Sequence, residues 1–438
     1  MRILSKFGGS SLASAKQFKQ VKKIIYSNKD RQIIVASAPG KDEENKTRIT
    51  DLLLLLNAHI EYDINYDYLL NEIYERYNSI IKELNIESIF YEKFNLFKKS
   101  ISKVLSKDYI ASRGEYFNAI ILSEYLGFKF VDAIDVIRLN FDGSVNYEKT
   151  KKLLNSMIRE DLFYVIPGFY ASTPERQVRV FSRGGSDFTG SIISKCLNLD
   201  FYENWTDVSG LFVADPKIII NPKKIERITY NELRELSYRG ANIIQQESII
   251  PLEQTNISIH IKNTNRPEDY GTVISKEIGS NGGIITGLSG SKDFTSLTIL
   301  KDSDKPFASI LVEVLNLYIK YKLKVELIPT GIDTFNILTK TNELKKVYFD
   351  LMNDIRNING VIDISSEDDI ALVAIVGRNM SSIPGVSGRI FSTLGNNNIN
   401  IKVIAQASKE ISIIIGVGVK DYEKTIKVLY DEFYLTNN

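Results

Sequence analysis

Lys6-Phe7-Gly8-Gly9-Ser10-Ser11 follows an apolar strand, Ile3 to Phe7, that begins within a few residues of the N-terminus. Glycine amides that no side chain shields, a lysine at a strand end and a following helix are what a polyphosphate requires. The same turn also serves plain chain reversal. A second glycine loop, Ser182-Arg183-Gly184-Gly185-Ser186-Asp187, lies between an apolar stretch (Val178 to Phe181) and a helical run (Phe188 to Leu197). Two anion-friendly loops imply a charged substrate with two ends. Taken singly, Asp187 also suits a helix N-cap and Arg183 a solvated loop.

The elements that must position these loops read as α/β. Strands are expected at about 2–7, 32–37, 128–133, 162–168, 200–206 and 256–262, alternating with helices. Runs such as Gln32-Ile33-Ile34-Val35-Ala36 predict a mostly parallel sheet covered by helices on both faces. Residues 60–108 carry Tyr, Leu, Ile and Phe at helical spacing with almost no Gly or Pro, a helical insertion acting as a lid or a packing subdomain. Leu52 to Leu56 is too short for the roughly 20 residues a bilayer demands and is expected to be a buried helix segment.

Composition narrows the chemistry. The chain has 438 residues, which suggests about three domains. A formal net charge of +1 gives no case for nucleic acid or an anionic membrane as partner. Cys196 is the only cysteine, so neither an internal disulfide nor a multi-cysteine metal site is available, and a cytoplasmic setting without a signal peptide is expected. Histidine chemistry is poorly supported: His59 follows the leucine run and His260 alternates with isoleucines, both in structural settings. The P-loop, GxGxxG and protein-kinase signatures are missing from the sequence.

After a linker at Lys276 to Gly283 the pattern changes to a small α+β unit. Its strands are Thr295–Leu300, Lys324–Ile328, Thr334–Leu338 and Val361–Ser365, with helices Phe307–Lys320 and Leu344–Ile355. A second copy follows at an offset of roughly 77 residues: Ile370–Val376, helix Val386–Leu394, Asn400–Ala405, Glu410–Gly416 and helix Tyr422–Phe433. The second copy ends without a closing strand, while Gly283 to Ser289 is a spare strand before the first. The expectation is that the spare strand completes the second sheet, so that the first copy is inserted within the second.

The ordered set Lys6–Ser11, Ser37-Ala38-Pro39-Gly40, Thr50-Asp51-Leu52-Leu53, Ser112-Arg113-Gly114-Glu115, Ser182–Asp187 and Trp205-Thr206-Asp207-Val208 resembles the aspartate kinases. Pro384-Gly385-Val386-Ser387-Gly388-Arg389-Ile390-Phe391 with Asn398-Ile399-Asn400-Ile401 resembles their ACT regulatory modules. The resemblance spans nearly the whole chain. It implies an amino-acid kinase domain over residues 1–278, a first ACT domain at 294–367, and a second made of 284–291 plus 369–438. The implied reaction is phosphorylation of the L-aspartate side chain by MgATP to 4-phospho-L-aspartate, the first step toward lysine, threonine and methionine.

That chemistry suits the inventory, because a carboxylate of pKa about 4 is already ionised and requires no general base. Lys6 and the amides of Gly8 and Gly9 are candidates for stabilising the transferring group, with Ser10, where the family usually has threonine, adding a hydroxyl. By resemblance, Asp187 orients Lys6 and helps hold the metal–phosphate array, as a candidate direct ligand to the Mg2+ that accompanies ATP. Thr206, Asp207, Phe212, Asp215, Lys217 and Asn242 are the implied nucleotide contacts, Asn242 standing where the family often has lysine. Arg183 suits the substrate α-carboxylate and Glu115 its ammonium, although Ser112-x-x-Glu115 is also a capping-box pattern. Thr50, Gly185 and Ser186 complete the implied aspartate set, with helix capping the other use for Thr50.

Tandem ACT units imply feedback by an amino acid, lysine or threonine. The candidate effector residues are Ser303, Asp304, Val325, Glu326 and Asp333, and a homodimer or dimer of dimers is implied. Two other functions fit the same outline: a kinase of this fold acting on another amino acid such as N-acetylglutamate, and an ACT-based sensor whose kinase domain no longer turns over.

Overall fold

The computed structural model describes residues 1–182, 184–238, 240, 246–278, 283–378, 380, 383–406 and 411–435. The chain divides into two compact units, and the division does not fall at one point in the sequence. The first comprises Met1–Leu211, Lys224–Tyr230 and Ile243–Gly279; the second comprises Phe212–Lys223, Asn231–Asn242 and Ser280–Asn438.

In chain order the first part runs β1 (Ile3–Phe7), α1 (Ala15–Tyr26), β2 (Arg31–Ala36), α2 (Ile49–Glu61), α3 (Asp67–Leu84), α4 (Phe90–Ser100), α5 (Lys107–Leu126) and β3 (Lys129–Phe130). There follow α6 (Ala133–Val136), α7 (Tyr147–Met157), β4 (Tyr164–Pro167), a hairpin of β5 (Tyr170–Ser172) and β6 (Val178–Val180), α8 (Gly185–Leu197) and β7 (Phe201–Thr206). Short strands β8 (Leu211–Phe212), β9 (Lys224–Ile225) and β10 (Arg227–Thr229) precede helices α9 (Tyr230–Tyr238) and α10 (Gln246–Glu253), then β11 (Ser258–Asn263) and β12 (Thr272–Ser275).

The first unit is built on an eight-stranded sheet of order β10-β12-β11-β7-β1-β2-β4-β3. Its pairs are parallel except β11 with β12. The central strands are buried on both faces, as their continuous apolar runs require. The 60–108 insertion shares this core: Tyr77, Phe90, Phe94 and Phe97 cluster around Phe117 of α5 with ring centroids 5.4–5.9 Å apart. The leucine run is only partly buried, because a helix turns Leu54 (38 % exposed) and Leu55 (43 %) outward while Leu52, Leu53 and Leu56 face inward.

One buried cluster sets the register of the centre. The guanidinium of Arg31 (β2) donates to both oxygens of Glu203 (β7) at 2.8 and 3.0 Å, and Ser5 (β1) and Trp205 (β7) each donate to Glu203 at 2.8 Å. Burial alone would raise the Glu203 carboxyl, but the Arg31 pair and these hydrogen bonds outweigh it and hold the group below the ordinary carboxylate range. The residues next along the strands are Lys6 and Asn204, so this lock also aligns the site.

In the second unit β13 (Gly287–Lys301), α11 (Phe307–Lys320), β14 (Thr334–Lys340), α12 (Thr341–Leu344), α13 (Tyr348–Arg356), β15 (Val361–Val376), α14 (Val386–Asn396), β16 (Ile401–Ala405), β17 (Ser412–Gly418) and α15 (Tyr422–Tyr430) follow one another. They form a five-stranded antiparallel sheet, β14-β13-β15-β17-β16. The sequence led us to expect separate strands in each copy. Instead β13 and β15 run through both: Phe294–Leu300 pairs with β14 and, continuing to Lys301, with the start of β15, whereas Gly287–Ser291 pairs with Leu372–Val376. Register shifts between Ser291 and Ser296 mark the join. Lys324–Ile328 is not a ladder strand. It touches β14 through an isolated bridge, Leu327 with Leu338, and Glu326 N–H donates to Leu338 O at 2.8 Å. The expected Leu344–Ile355 helix is two helices, α12 and α13.

Arg31→Ala leaves Glu203 buried and unpaired and should destabilise the protein by about 3–5 kcal/mol, measured by urea unfolding at neutral pH. Because the folded Glu203 titrates below its unfolded value, the pair's contribution is present above about pH 4 and declines below it. The gap between wild type and variant therefore narrows in acid.

Candidate functional site

Phe7 of β1 stands level with Ala36 of β2 and Trp205 of β7, and Ala36 with Pro167 of β4. The turns that leave these strands, Gly8-Gly9, Ser37–Gly40, Gly168 and Asp207, therefore emerge along one carboxyl edge of parallel strands, where open α/β sheets bind ligands.

Lys6 is 7 % exposed and forms an ion pair with Asp187 in the first turn of α8. Its Nζ also donates to Asn204 Oδ1 at 3.3 Å, and Asn204 Nδ2 donates to Asp187 Oδ1 at 3.1 Å. The cap position of α8 is Gly184, whose φ of 76° is left-handed backbone that favours glycine, so Asp187 is not the N-cap. Gly185 and Ser186 beside it are buried.

The Gly8 amide corrects an expectation: it donates to Trp205 O at 3.0 Å, tying the turn to β7, and is not free for a phosphate. Gly9 and Ser10 begin a short 3-10 turn, Gly9–Leu12, and are the remaining backbone donors there. Gly9 is pressed on the Ser37–Gly40 turn, with Gly40 N–H donating to Gly9 O at 2.8 Å; a Cβ at Gly40 would lie 2.6 Å from Gly9 C. Only glycine allows that approach.

Glu115 lies in mid-helix, so the capping-box pattern is unused; Ser106 caps α5 by accepting from Tyr109 N–H at 3.1 Å. The Glu115 side chain, 5 % exposed, accepts from the Ala38 backbone N–H, in the same turn that abuts Gly9. Its Oε2 meets no donor among the described residues. Burial pushes the carboxyl up to about 8 despite the opposing hydrogen bond. A buried carboxyl with an unmet oxygen is suited to receive a cationic donor.

Thr50 is the second residue of α2, whose cap position is Arg48; it is half-buried and does not cap. Thr206 Oγ1 donates to Asp207 Oδ1 at 3.2 Å, and Asn263 Nδ2 donates to Asp207 O at 3.3 Å. Phe212, Asp215 and Lys217 belong to the second compact unit, where Lys217 N–H donates to Asp215 Oδ1 at 2.9 Å. Arg183 and Asn242 lie outside the described residues. Ser303 Oγ donates to Asp333 Oδ1 at 3.2 Å, with Lys301 Nζ 3.4 Å from the same oxygen; Asp304 is exposed, Val325 and Glu326 half-buried. Both histidines are tied to backbone carbonyls, His59 to Asn65 at 2.9 Å and His260 to Tyr270 at 2.6 Å. Sequence reasoning passed over Asn204, and its only signal there is a polar residue amid the buried run Tyr202–Trp205.

The convergence of a lysine ammonium, a glycine turn and a helix-start carboxylate at a parallel-sheet edge defines a phosphate-handling α/β enzyme. Residues 1–263 match the model of the amino acid kinase family and residues 373–433 that of the ACT domain. Aspartokinase 3 of Bacillus subtilis is 32% identical over 98% of both chains. The crystal structure of Clostridium acetobutylicum aspartate kinase, described as an allosteric enzyme, superposes with a TM-score of 0.91 at 41% identity, covering 98% of this chain and 99% of that one. Escherichia coli aspartokinase III in complex with aspartate and ADP shares the fold, with a TM-score of 0.78 at 21% identity over 99% and 100% of the two chains. The chain belongs to the amino acid kinase family and, within it, to the aspartate kinases.

Infrared titration of the free enzyme should reveal a protonated carboxyl that ionises near pH 8 and vanishes in Glu115→Gln. If Glu115→Gln removes a band that ionises near pH 4 instead, Glu115 is more hydrated than its burial indicates.

Proposed function

We propose that Lys6, Asp187, Gly9 and Ser10 carry transfer of the γ-phosphoryl group of ATP to the side-chain carboxylate of L-aspartate, giving 4-phospho-L-aspartate and ADP. The observation that carries this assignment is the buried Lys6–Asp187 pair at the carboxyl edge of the sheet. The acceptor carboxylate is already ionised at neutral pH and attacks phosphorus directly, as the bond to the β–γ bridging oxygen breaks and ADP leaves. No base is called on, consistent with two backbone-bonded histidines. The enzyme's task is alignment and charge cancellation: Lys6 offers a cation to the phosphoryl oxygens, Gly9 and Ser10 offer donors, and Asp187 keeps the ammonium in place.

Mg2+ arriving on the nucleotide neutralises phosphate charge. An ion carried in this way would need only one or two carboxylates beside the phosphates. Asp187 is the carboxylate on hand. Thr206, Asp207, Phe212, Asp215, Lys217 and Asn242 are assigned to the nucleotide.

At the amino-acid end, Glu115 takes the substrate ammonium and Arg183 its α-carboxylate, with Thr50, Gly185 and Ser186 completing the pocket. The unmet oxygen of Glu115 supports this placement. In the second unit, residues 294–367 form one ACT module and 284–291 with 369–438 the other; the pairing of Gly287–Ser291 with Leu372–Val376 supports the insertion. Lysine or threonine is the effector, taken near Ser303, Asp304, Val325, Glu326 and Asp333, in a homodimer or dimer of dimers. No helix among the described residues is long and apolar enough to cross a membrane.

In a hydroxamate assay with MgATP and aspartate, Lys6→Ala should lower kcat roughly 10²- to 10³-fold, whereas Arg183→Ala should act on aspartate KM, weakening binding by about 2–5 kcal/mol. Unchanged kcat in the first or unchanged KM in the second removes that residue from its role. Adding lysine or threonine to the wild-type assay should inhibit, and Asp333→Ala should relieve that inhibition at unchanged basal kcat. Retained inhibition in Asp333→Ala places the effector elsewhere.

A further inference from the structure

We infer that Asn204 is a positioning residue for phosphoryl transfer, an inference that rests on the roles proposed for Lys6 and Asp187. It is the register partner of Lys6 in the β1–β7 ladder and is 4 % exposed. An amide so deeply buried is unfavourable unless both its ends are bonded. The partners of the two ends are the proposed transfer residues themselves: Oδ1 accepts from Lys6 Nζ at 3.3 Å and Nδ2 donates to Asp187 Oδ1 at 3.1 Å.

The three side chains therefore close a ring whose sense is set by charge. Turning the amide over would place its NH2 against the ammonium and its oxygen against the carboxylate. When a phosphoryl group draws on Lys6, Asp187 retains a donor in Asn204 and is not left as an unpaired buried anion. The amide thus lowers the penalty for sharing Lys6 and keeps its ammonium aimed along the sheet edge. Neighbouring Glu203 acts on the strands; Asn204 acts on the charges.

N204L and N204D separate this role from a packing role. N204L removes both bonds and should lower kcat roughly 10- to 100-fold at every pH, with aspartate KM within about twofold of wild type. N204D sets a second carboxylate beside Asp187, and like charges raise the proton affinity of the pair. Its protonated form offers an O–H to Asp187 and a carbonyl to Lys6, reproducing the amide. The ratio of N204D to wild-type kcat should therefore be low near pH 8 and rise reversibly as pH falls toward about 6. The pH dependence of this ratio is unaffected by a uniform loss of folded enzyme in either preparation.

Wild-type kcat in N204L, or a pH-independent N204D ratio, overturns the inference. The parent assignment is tested apart from it: Lys6→Ala with full turnover would remove that assignment whatever the Asn204 variants do. Lys6→Ala inactive with a flat N204D ratio removes the role of Asn204 alone.

Discussion

A lysine ammonium buried to 7 % exposure cannot stand alone in a protein interior, and Asp187 and Asn204 supply its partners. Lys6 enters from the middle strand of the sheet, Asp187 from the first turn of α8, and Asn204 from the adjoining strand. One residue back along each of β1 and β7, Ser5 and Glu203 join Arg31 of β2 and Trp205 of β7 in a four-member cluster with a bidentate Arg31–Glu203 pair. A slip of one residue in any of these strands would turn the side chains to the opposite face and separate the two clusters. The Ser5–Glu203 and Lys6–Asn204 register pairs are thus consecutive rungs of the β1–β7 ladder, the first tied to Arg31 and the second to Asp187.

The end proposed for the amino acid follows the reverse logic. Glu115 is a carboxyl whose proton affinity is raised by desolvation, and one of its backbone contacts, Ala38, belongs to the turn that braces Gly9. The walls assigned to the two substrates therefore share a backbone segment, Ser37–Gly40. This continuity gives a physical reason for the glycine at position 40: any side chain there would push the Gly9 turn away from the turn that holds Glu115.

Much of this was legible before any coordinates. Lys6 with its glycine turn, the second glycine loop and the duplicated α+β unit are local patterns, and local patterns survive in a linear reading. What was not legible depends on partners distant in the chain. Gly8 looked like a phosphate donor because nothing near it in sequence claims its amide, yet Trp205 O does. Asn204 looked like an ordinary strand residue, since an isolated asparagine has no spacing to mark it. Ser112 and Glu115 match a capping box but fall in mid-helix, because Ser106 starts α5 a turn and a half earlier. β13 and β15 each join two predicted strands, for a β-bulge carries the ladder onward where the sequence shows a break in alternation. The assignment of Phe212–Lys223 to the second unit is likewise a property of tertiary contacts that composition does not encode.

The central claim is that the Lys6–Asp187 pair marks the point of phosphoryl transfer. The most direct measurement is a crystal structure of the enzyme with aspartate, ADP, Mg2+ and a planar metal-fluoride mimic of the transferring group. The account predicts the mimic within hydrogen-bond reach of Lys6 Nζ and the Gly9 amide, with the aspartate side-chain carboxylate in line on its far side. A mimic bound beyond the reach of Lys6, with the pair to Asp187 undisturbed, would contradict it.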